Sequence, residues 1–213
     1  MNIKIFEFNP IAVNTYVLYD ETGECVIIDA ACFFPNEQQE LLKFINEKKL
    51  VVKHLLNTHL HFDHVFGVNF IEAQFDVKMK AHKADKFLLA NMEQQMAMFG
   101  FPANGDYIPT LTNYIDENDI IEFGNQKLTI MHVPGHSPGS LVFYNKQEGV
   151  VVSGDVLFNG SIGRTDLPQG DHNSLIDGIK RKILTLPDNT VVYPGHGPAT
   201  SVEGEKRINP FLQ

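Results

Sequence analysis

The chain has 213 residues, 43% hydrophobic and 20% charged, with a formal net charge of −9 from 17 basic and 26 acidic side chains. This is an ordinary globular composition with room for one large domain or two small ones. The acidic balance argues against a nucleic-acid partner, since phosphate binding needs a cationic surface, but it leaves room for a local basic pocket. No apolar run reaches the length of a membrane span, and Met1–Phe6 reads as a strand and not as a secretory leader; a cytoplasmic protein with no membrane partner is expected. Cys25 and Cys32 are too few for a disulfide scaffold and wrongly spaced for a zinc ribbon, so they read as buried thiols.

In chain order, Ile3, Ile5 and Phe8 mark a half-buried strand over 2–8. Strands at 14–19 and 24–29 flank the turn Asp20-Glu21-Thr22-Gly23 and form a hairpin. Asp29 closes the second of these; a strand-end carboxylate serves either as a loop-capping acceptor or as a partner to a metal-bound imidazole, and both readings stay open. Asn36 is a plausible cap for a helix over 37–48, with Leu41, Leu42 and Ile45 as its apolar stripe and Lys48-Lys49 at the negative end of its dipole. A strand over 51–56 follows, then a short helix over 65–71, a strand over 77–81 and a helix from His82 to Phe99. The stretch 100–118, with Gly100, Pro102, Gly105 and Pro109, reads as a long loop. Strands at 120–123, 128–132, 140–144 and 150–153 come next, then a helix over 172–185, a strand over 191–193 and a terminal helix near 201–207. There is no short-period repeat; a weak halving near residue 115 is visible, and the chain is read as a single domain over 1–213.

Chemistry concentrates at the ends of the apolar runs. Thr58-His59-Leu60-His61-Phe62-Asp63-His64 follows the run 51–56 and holds three imidazoles and a carboxylate in seven residues. In extended backbone His59 and His61 project to one side, while Asp63 and His64 diverge unless the chain turns. Imidazole and carboxylate without thiolate suit zinc, iron or manganese. His136 stands in the turn Pro134-Gly135-His136-Ser137-Pro138-Gly139, Asp155 follows the run 150–152, and His196 lies in Pro194-Gly195-His196-Gly197-Pro198. Five imidazoles and two carboxylates are enough for two ions with a bridging carboxylate, provided that the fold brings them together. His54 and His172 read as structural, His82 as the start of a helix, and His132, four residues before His136, as a candidate neighbour of the site.

The set His59-x-His61-x-Asp63-His64, His136, Asp155 and His196 resembles the metallo-β-lactamase superfamily, and within it hydroxyacylglutathione hydrolase (glyoxalase II)-like proteins. The segments Gly154-Asp155-Val156-Leu157-Phe158 and Gly163-Arg164-Thr165-Asp166 are similar to the short, single-domain bacterial branch. The resemblance implies an α/β fold, a four-layer αββα sandwich. It implies His59, His61 and His136 on one divalent ion, Asp63, His64 and His196 on a second, Asp155 bridging, and zinc as the metal, with iron or manganese as the other choices. It also implies hydrolysis of a small-molecule thioester such as S-lactoylglutathione, with Asp63 orienting the nucleophile and Arg164 either contacting a substrate carboxylate or pairing with Asp166 or Asp171 as a loop staple. Glyoxalase II enzymes usually carry a helical C-terminal extension for glutathione, whereas 17 residues follow His196 here, so the thiol carrier is left open.

The alternative is a mononuclear-iron persulfide dioxygenase, in which His59, His136 and Asp155 would hold one iron. A non-catalytic scaffold with a vestigial site is the reading from another class. The absence of a leader disfavours β-lactam hydrolysis, the charge disfavours a nuclease, and His61, where diiron flavoproteins usually carry Glu, disfavours that branch.

Overall fold

The computed structural model describes residues 1–102 and 107–213; Gly105, part of the expected 100–118 loop, lies outside the described residues. The chain divides into two compact units, residues 1–115 with 123–125, and residues 116–122 with 126–213.

The first unit is built on a sheet of order β1-β2-β3-β4-β5-β6. β1 (Asn2–Phe8) and β2 (Val13–Tyr19) are antiparallel in full register, with Phe8 opposite Val13. The turn between them places Asn9 at φ 56°, a left-handed position that Asn tolerates better than most residues. β3 (Glu24–Ile28) returns antiparallel, completing the expected hairpin. From there β4 (Val51–Leu56), β5 (Met79–Ala81) and β6 (Asn113–Tyr114) add in parallel. Parallel neighbours need crossovers, and α1 (Pro35–Glu47) and α2 (Val68–Phe75) lie in the first two. Their buried Leu41, Ile45, Val68 and Ile71 share one core with Val17, Ile27 and Leu55 of the strands. The carboxyl ends of β3 and β4 therefore lie side by side. They release Asp29 and the Thr58–His64 turn at the same edge, the place where open α/β sheets bind their ligands.

Several boundaries differ from the sequence reading, each for a local reason. The cap of α1 is Phe34, not Asn36; the Glu37 carboxylate supplies the capping acceptor, receiving Phe33 N–H (2.7 Å) and Phe34 N–H (3.0 Å). Lys48 is the C-cap, so no basic residue occupies the last turn. The expected 65–71 helix is a 3₁₀ turn, Phe62–His64, followed by α2. The expected 82–99 helix is broken into a 3₁₀ turn (Lys83–Asp85), α3 (Lys86–Ala90) and α4 (Met92–Met98). The break falls at Asn91, whose side-chain amide donates to Phe87 O (2.8 Å).

The second sheet contains β7 (Ile120–Phe123), β8 (Gln126–His132), β9 (Leu141–Asn145), β10 (Val150–Gly154), β13 (Val191–Pro194) and β14 (Thr200–Ser201). Its order is β14-β13-β10-β9-β8-β7. β10 and β13 are parallel, so Asp155 and His196 leave from the same edge. β11 (Leu157–Phe158) and β12 (Ser161–Ile162) form a small hairpin in the crossover between them. α5 (His172–Gly178), capped by the Asp171 carboxylate on Ser174 N–H, continues as a π turn over Ile179–Ile183, so the single expected helix changes pitch midway. Leu175, Ile179 and Ile183 pack with Val142, Val151 and Val192. In α6 (Val202–Ile208), fully buried Glu205 accepts from Thr200 Oγ1 (2.6 Å), Gly160 N–H (3.1 Å) and Asn209 Nδ2 (2.7 Å), pinning the hairpin to the C-terminal helix. The two-residue strands β6, β11, β12 and β14 were not anticipated; two residues carry no periodicity. Among the described residues no helix is long and apolar enough to cross a membrane.

Candidate metal centre

In the first unit the turn after β4 brings its ligand-type side chains together. The His59 and His61 rings lie 4.8 Å apart and the His59 and His64 rings 4.1 Å apart. Asp63 Oδ2 stands 3.8 Å from His64 Nε2. All four residues are buried. The turn is held by side chains at every step. Asp29, 0% exposed and at φ 53°, faces His64 Nδ1 through Oδ2 (3.0 Å) and accepts Thr58 N–H through Oδ1 (2.7 Å). Asp29 thus caps the loop and contacts the His64 imidazole at once. Asn57 Nδ2 donates to His64 O (2.9 Å), and Asn9 Nδ2 to Asp63 O (3.0 Å) and Ala31 O (3.1 Å). Buried Asp85 accepts Leu60 N–H (3.2 Å), fixing the backbone between His59 and His61. Sequence reasoning missed Asn9, Asn57, Thr58 and Asp85 as supports. Thr58 could have been found, since a hydroxyl immediately before a ligand is within reach of it; the other three meet the turn only through the fold.

In the second unit the His136 turn joins β8 to β9. Val133 N–H donates to Ser140 O (2.8 Å), and His132 Nε2 contacts Pro138 O (2.8 Å), so His132 braces that turn. His136 Nδ1 faces Arg164 O (2.8 Å). Gly195 N–H donates to Gly154 O (2.8 Å) and ties the His196 loop to the start of the Asp155 loop. Asp155 Oδ2 then lies 3.6 Å from His136 Nε2 and 3.5 Å from His196 Nε2. These separations are too long for strong hydrogen bonds. They match side chains that share an ion: ligand atoms about 2.1 Å from a tetrahedral metal stand about 3.4 Å apart.

The donor chemistry fits a divalent metal. For His59, His64 and His136 the Nδ1 atom faces an oxygen, of Thr58, Asp29 and Arg164 respectively. For His64 and His136 that oxygen is a carboxylate or carbonyl acceptor, which directs the proton to Nδ1 and leaves Nε2 as a lone-pair donor, the usual state of a metal-bound imidazole. Gly163 is part of the same construction: a Cβ there would sit 1.8 Å from Asp155 O and 3.1 Å from His136 Cβ. The Arg164 guanidinium grips the Asp166 carboxylate as a fork, Nε to Oδ1 and Nη2 to Oδ2 both 2.7 Å. That hydrogen-bonded pairing holds the Asp166 carboxyl down at about 2. His54 contacts Lys80 Nζ (3.0 Å), and His82, at the cap of the 3₁₀ turn Lys83–Asp85, accepts Ala84 N–H on Nδ1 (3.2 Å).

The model of the metallo-β-lactamase superfamily matches residues 8–196, and the chain belongs to that superfamily. It is a metal-binding hydrolase with the metallo-β-lactamase fold. Over 213 residues it is 36% identical to hydroxyacylglutathione hydrolase GloC of Haemophilus influenzae, covering 100% of this chain and 98% of that one. It is also 36% identical over 204 residues to the probable metallo-hydrolase YqgX of Bacillus subtilis, covering 95% and 93% of the two chains. Among solved structures it is similar to BLEG-1 B3 metallo-β-lactamase, with a TM-score of 0.89, 34% identity and full coverage of both chains. It is likewise similar to TTHA1623 in a di-iron-bound form, with a TM-score of 0.86, 35% identity, and coverage of 98% of this chain and 100% of that one.

Proposed function

We propose that the chain is a glyoxalase II-type thioesterase acting as one catalytic domain on S-acyl thiol conjugates, with S-lactoylglutathione as the first substrate to test. The observation that carries this reading is the ligand inventory. Imidazoles and carboxylates gather at strand ends without a thiolate, three of the imidazoles have Nδ1 directed at an oxygen, and the full length of the chain is similar to a hydroxyacylglutathione hydrolase. In this reading His59, His61 and His136 hold one divalent ion, Asp63, His64 and His196 hold the other, and Asp155 serves both. Two such ions, zinc by preference, supply a water that is deprotonated at neutral pH and a Lewis acid for the carbonyl oxygen. Asp63, beside His64, accepts a hydrogen bond from the attacking water and sets its direction. The leaving thiolate is stable enough to depart without a strong general acid. Arg164 exchanges Asp166 for a substrate carboxylate; the existing pair is about half exposed and so weak enough to be displaced.

TTHA1623, 35% identical, was solved with two irons, so iron is a choice of metal to test beside zinc. A single iron on His59, His136 and Asp155 would instead fit a persulfide dioxygenase. The test is metal analysis of protein purified from its host, followed by S-lactoylglutathione hydrolysis, oxygen uptake with a persulfide, and turnover of a chromogenic cephalosporin. Thioester turnover with two ions per chain is the expected result. One iron per chain with oxygen uptake would replace the thioesterase reading, and cephalosporin turnover alone would move the substrate to β-lactams. Asp155→Ala should lose bound metal and turnover while staying folded by circular dichroism; unchanged turnover would refute the ligand assignment.

A further inference from the structure

We infer that Thr58 is a positioning residue, a hydroxyl relay through which one buried carboxylate, Asp29, fixes the tautomers of two metal-ligand imidazoles. Four donors converge on Asp29: Thr58 N–H (2.7 Å) and Asn57 Nδ2 (3.4 Å) on Oδ1, and Thr58 Oγ1 (2.7 Å) and His64 Nδ1 (3.0 Å) on Oδ2. A carboxylate has acceptor sites for all of them and no proton to give. The Thr58 hydroxyl must therefore spend its only proton on Asp29. Thr58 Oγ1 also lies 3.1 Å from His59 Nδ1. With its proton committed, the hydroxyl faces that ring only as an acceptor, so the imidazole carries its proton on Nδ1. His59 Nε2 is then left as a lone pair. His64 reaches the same state directly, by donating Nδ1–H to Asp29. Asp29, Asn57, Thr58, His59 and His64 are each at most 1% exposed, so water does not compete for these bonds.

The inference extends the metal reading proposed above, in which His59 and His64 serve different ions. One carboxylate then prepares both ions' ligands, and Thr58 carries that preparation to His59 alone. Threonine supplies what serine does at this atom, whereas valine, of the same shape, supplies nothing. Asn at position 29 is the mildest change there, because Asn accepts the left-handed backbone that Asp29 adopts.

The test uses long-range ¹⁵N NMR of the imidazoles in metal-free protein, which reports the tautomer without any activity assay. The expected result is Nδ1–H for both His59 and His64 in the wild type. Thr58→Val should release His59 into a tautomer mixture and leave His64 unchanged. Thr58→Ser should restore His59, and Asp29→Asn should disturb both rings. Zinc affinity, read by chelator competition, should fall about 10–100-fold for one ion in Thr58→Val and for both in Asp29→Asn. A wild-type His59 protonated on Nε2, or a Thr58→Val protein whose His59 keeps the wild-type signature, overturns the relay. If the tautomers behave as expected but the wild type binds no zinc, the relay stands and the metal reading fails.

Discussion

Gly163→Ala is the sharpest test of how the centre is built, because it adds one methyl group outside the ligand set. The added Cβ would stand 1.8 Å from Asp155 O, where Cβ contacts under 3.0 Å are essentially never found, so the chain must give by about 1.2 Å. The opposing atom is backbone, so no flexible side chain can swing aside. His136 Cβ would lie 3.1 Å from the same added atom. The strain of overpacking a well-filled site is about 1–3 kcal/mol. At about 2–4 °C per kcal/mol for a chain of this size, Tm should fall by about 2–12 °C. The effect on turnover should be larger than on stability. Displacing the loop by 1 Å or more moves Asp155 relative to His136 and His196, and misplacement of that size costs about 100-fold in rate. Differential scanning calorimetry, metal stoichiometry and thioester turnover on the same preparation give the three readings. A Gly163→Ala protein with wild-type metal content and turnover would refute the claim that Asp155 and His136 are held by close packing at this glycine.

Other expected outcomes follow from particular groups. Arg164→Ala should raise KM with kcat little changed, the mark of lost uniform binding, and Asp166→Asn should not raise it. In the same Arg164→Ala protein the Asp166 carboxyl, measured by carboxyl ¹³C NMR, should return from about 2 toward its ordinary value. Since that folded-state value is depressed, the pair's contribution to stability is present above the ordinary carboxylate range and lost as pH falls toward about 2; a midpoint unmoved by the mutation would show that Arg164 is not the cause. Burial pushes both Cys25 and Cys32 up to about 12, so neither should react with a thiol reagent at pH 8 until denaturant is added; labelling of the native protein at full stoichiometry would contradict the packing. Asn9→Asp keeps the acceptor for Ile11 N–H but turns a carboxylate toward Ala31 O and Asp63 O, and it should cost about 1–3 kcal/mol in urea unfolding.

The candidate ligands were legible in the sequence because metal chemistry demands rare residue types. Three imidazoles and a carboxylate within Thr58–His64, and single ligands after apolar runs at His136, Asp155 and His196, stand out against any packing explanation. The long strands were legible too, since alternation over 2–8 or an apolar run over 51–56 is a local signal. Helix ends were less so: Glu37 capping α1 from inside the helix and Asn91 breaking α3 from α4 are choices among competing hydrogen bonds that residue type alone does not rank.

What only the tertiary structure decided is how the ligands are oriented. Asp29 and Thr58 are 29 residues apart, and they meet because β3 and β4 are parallel neighbours ending at one edge. Asp85 reaches Leu60, Asn9 reaches Asp63 and the Arg164 carbonyl reaches His136 across similar or longer gaps in the chain. A sequence can name the atoms that bind a metal, because binding is a property of the residue type. The nitrogen an imidazole presents is set by the acceptor on its other side, and the sheet order places that acceptor in space.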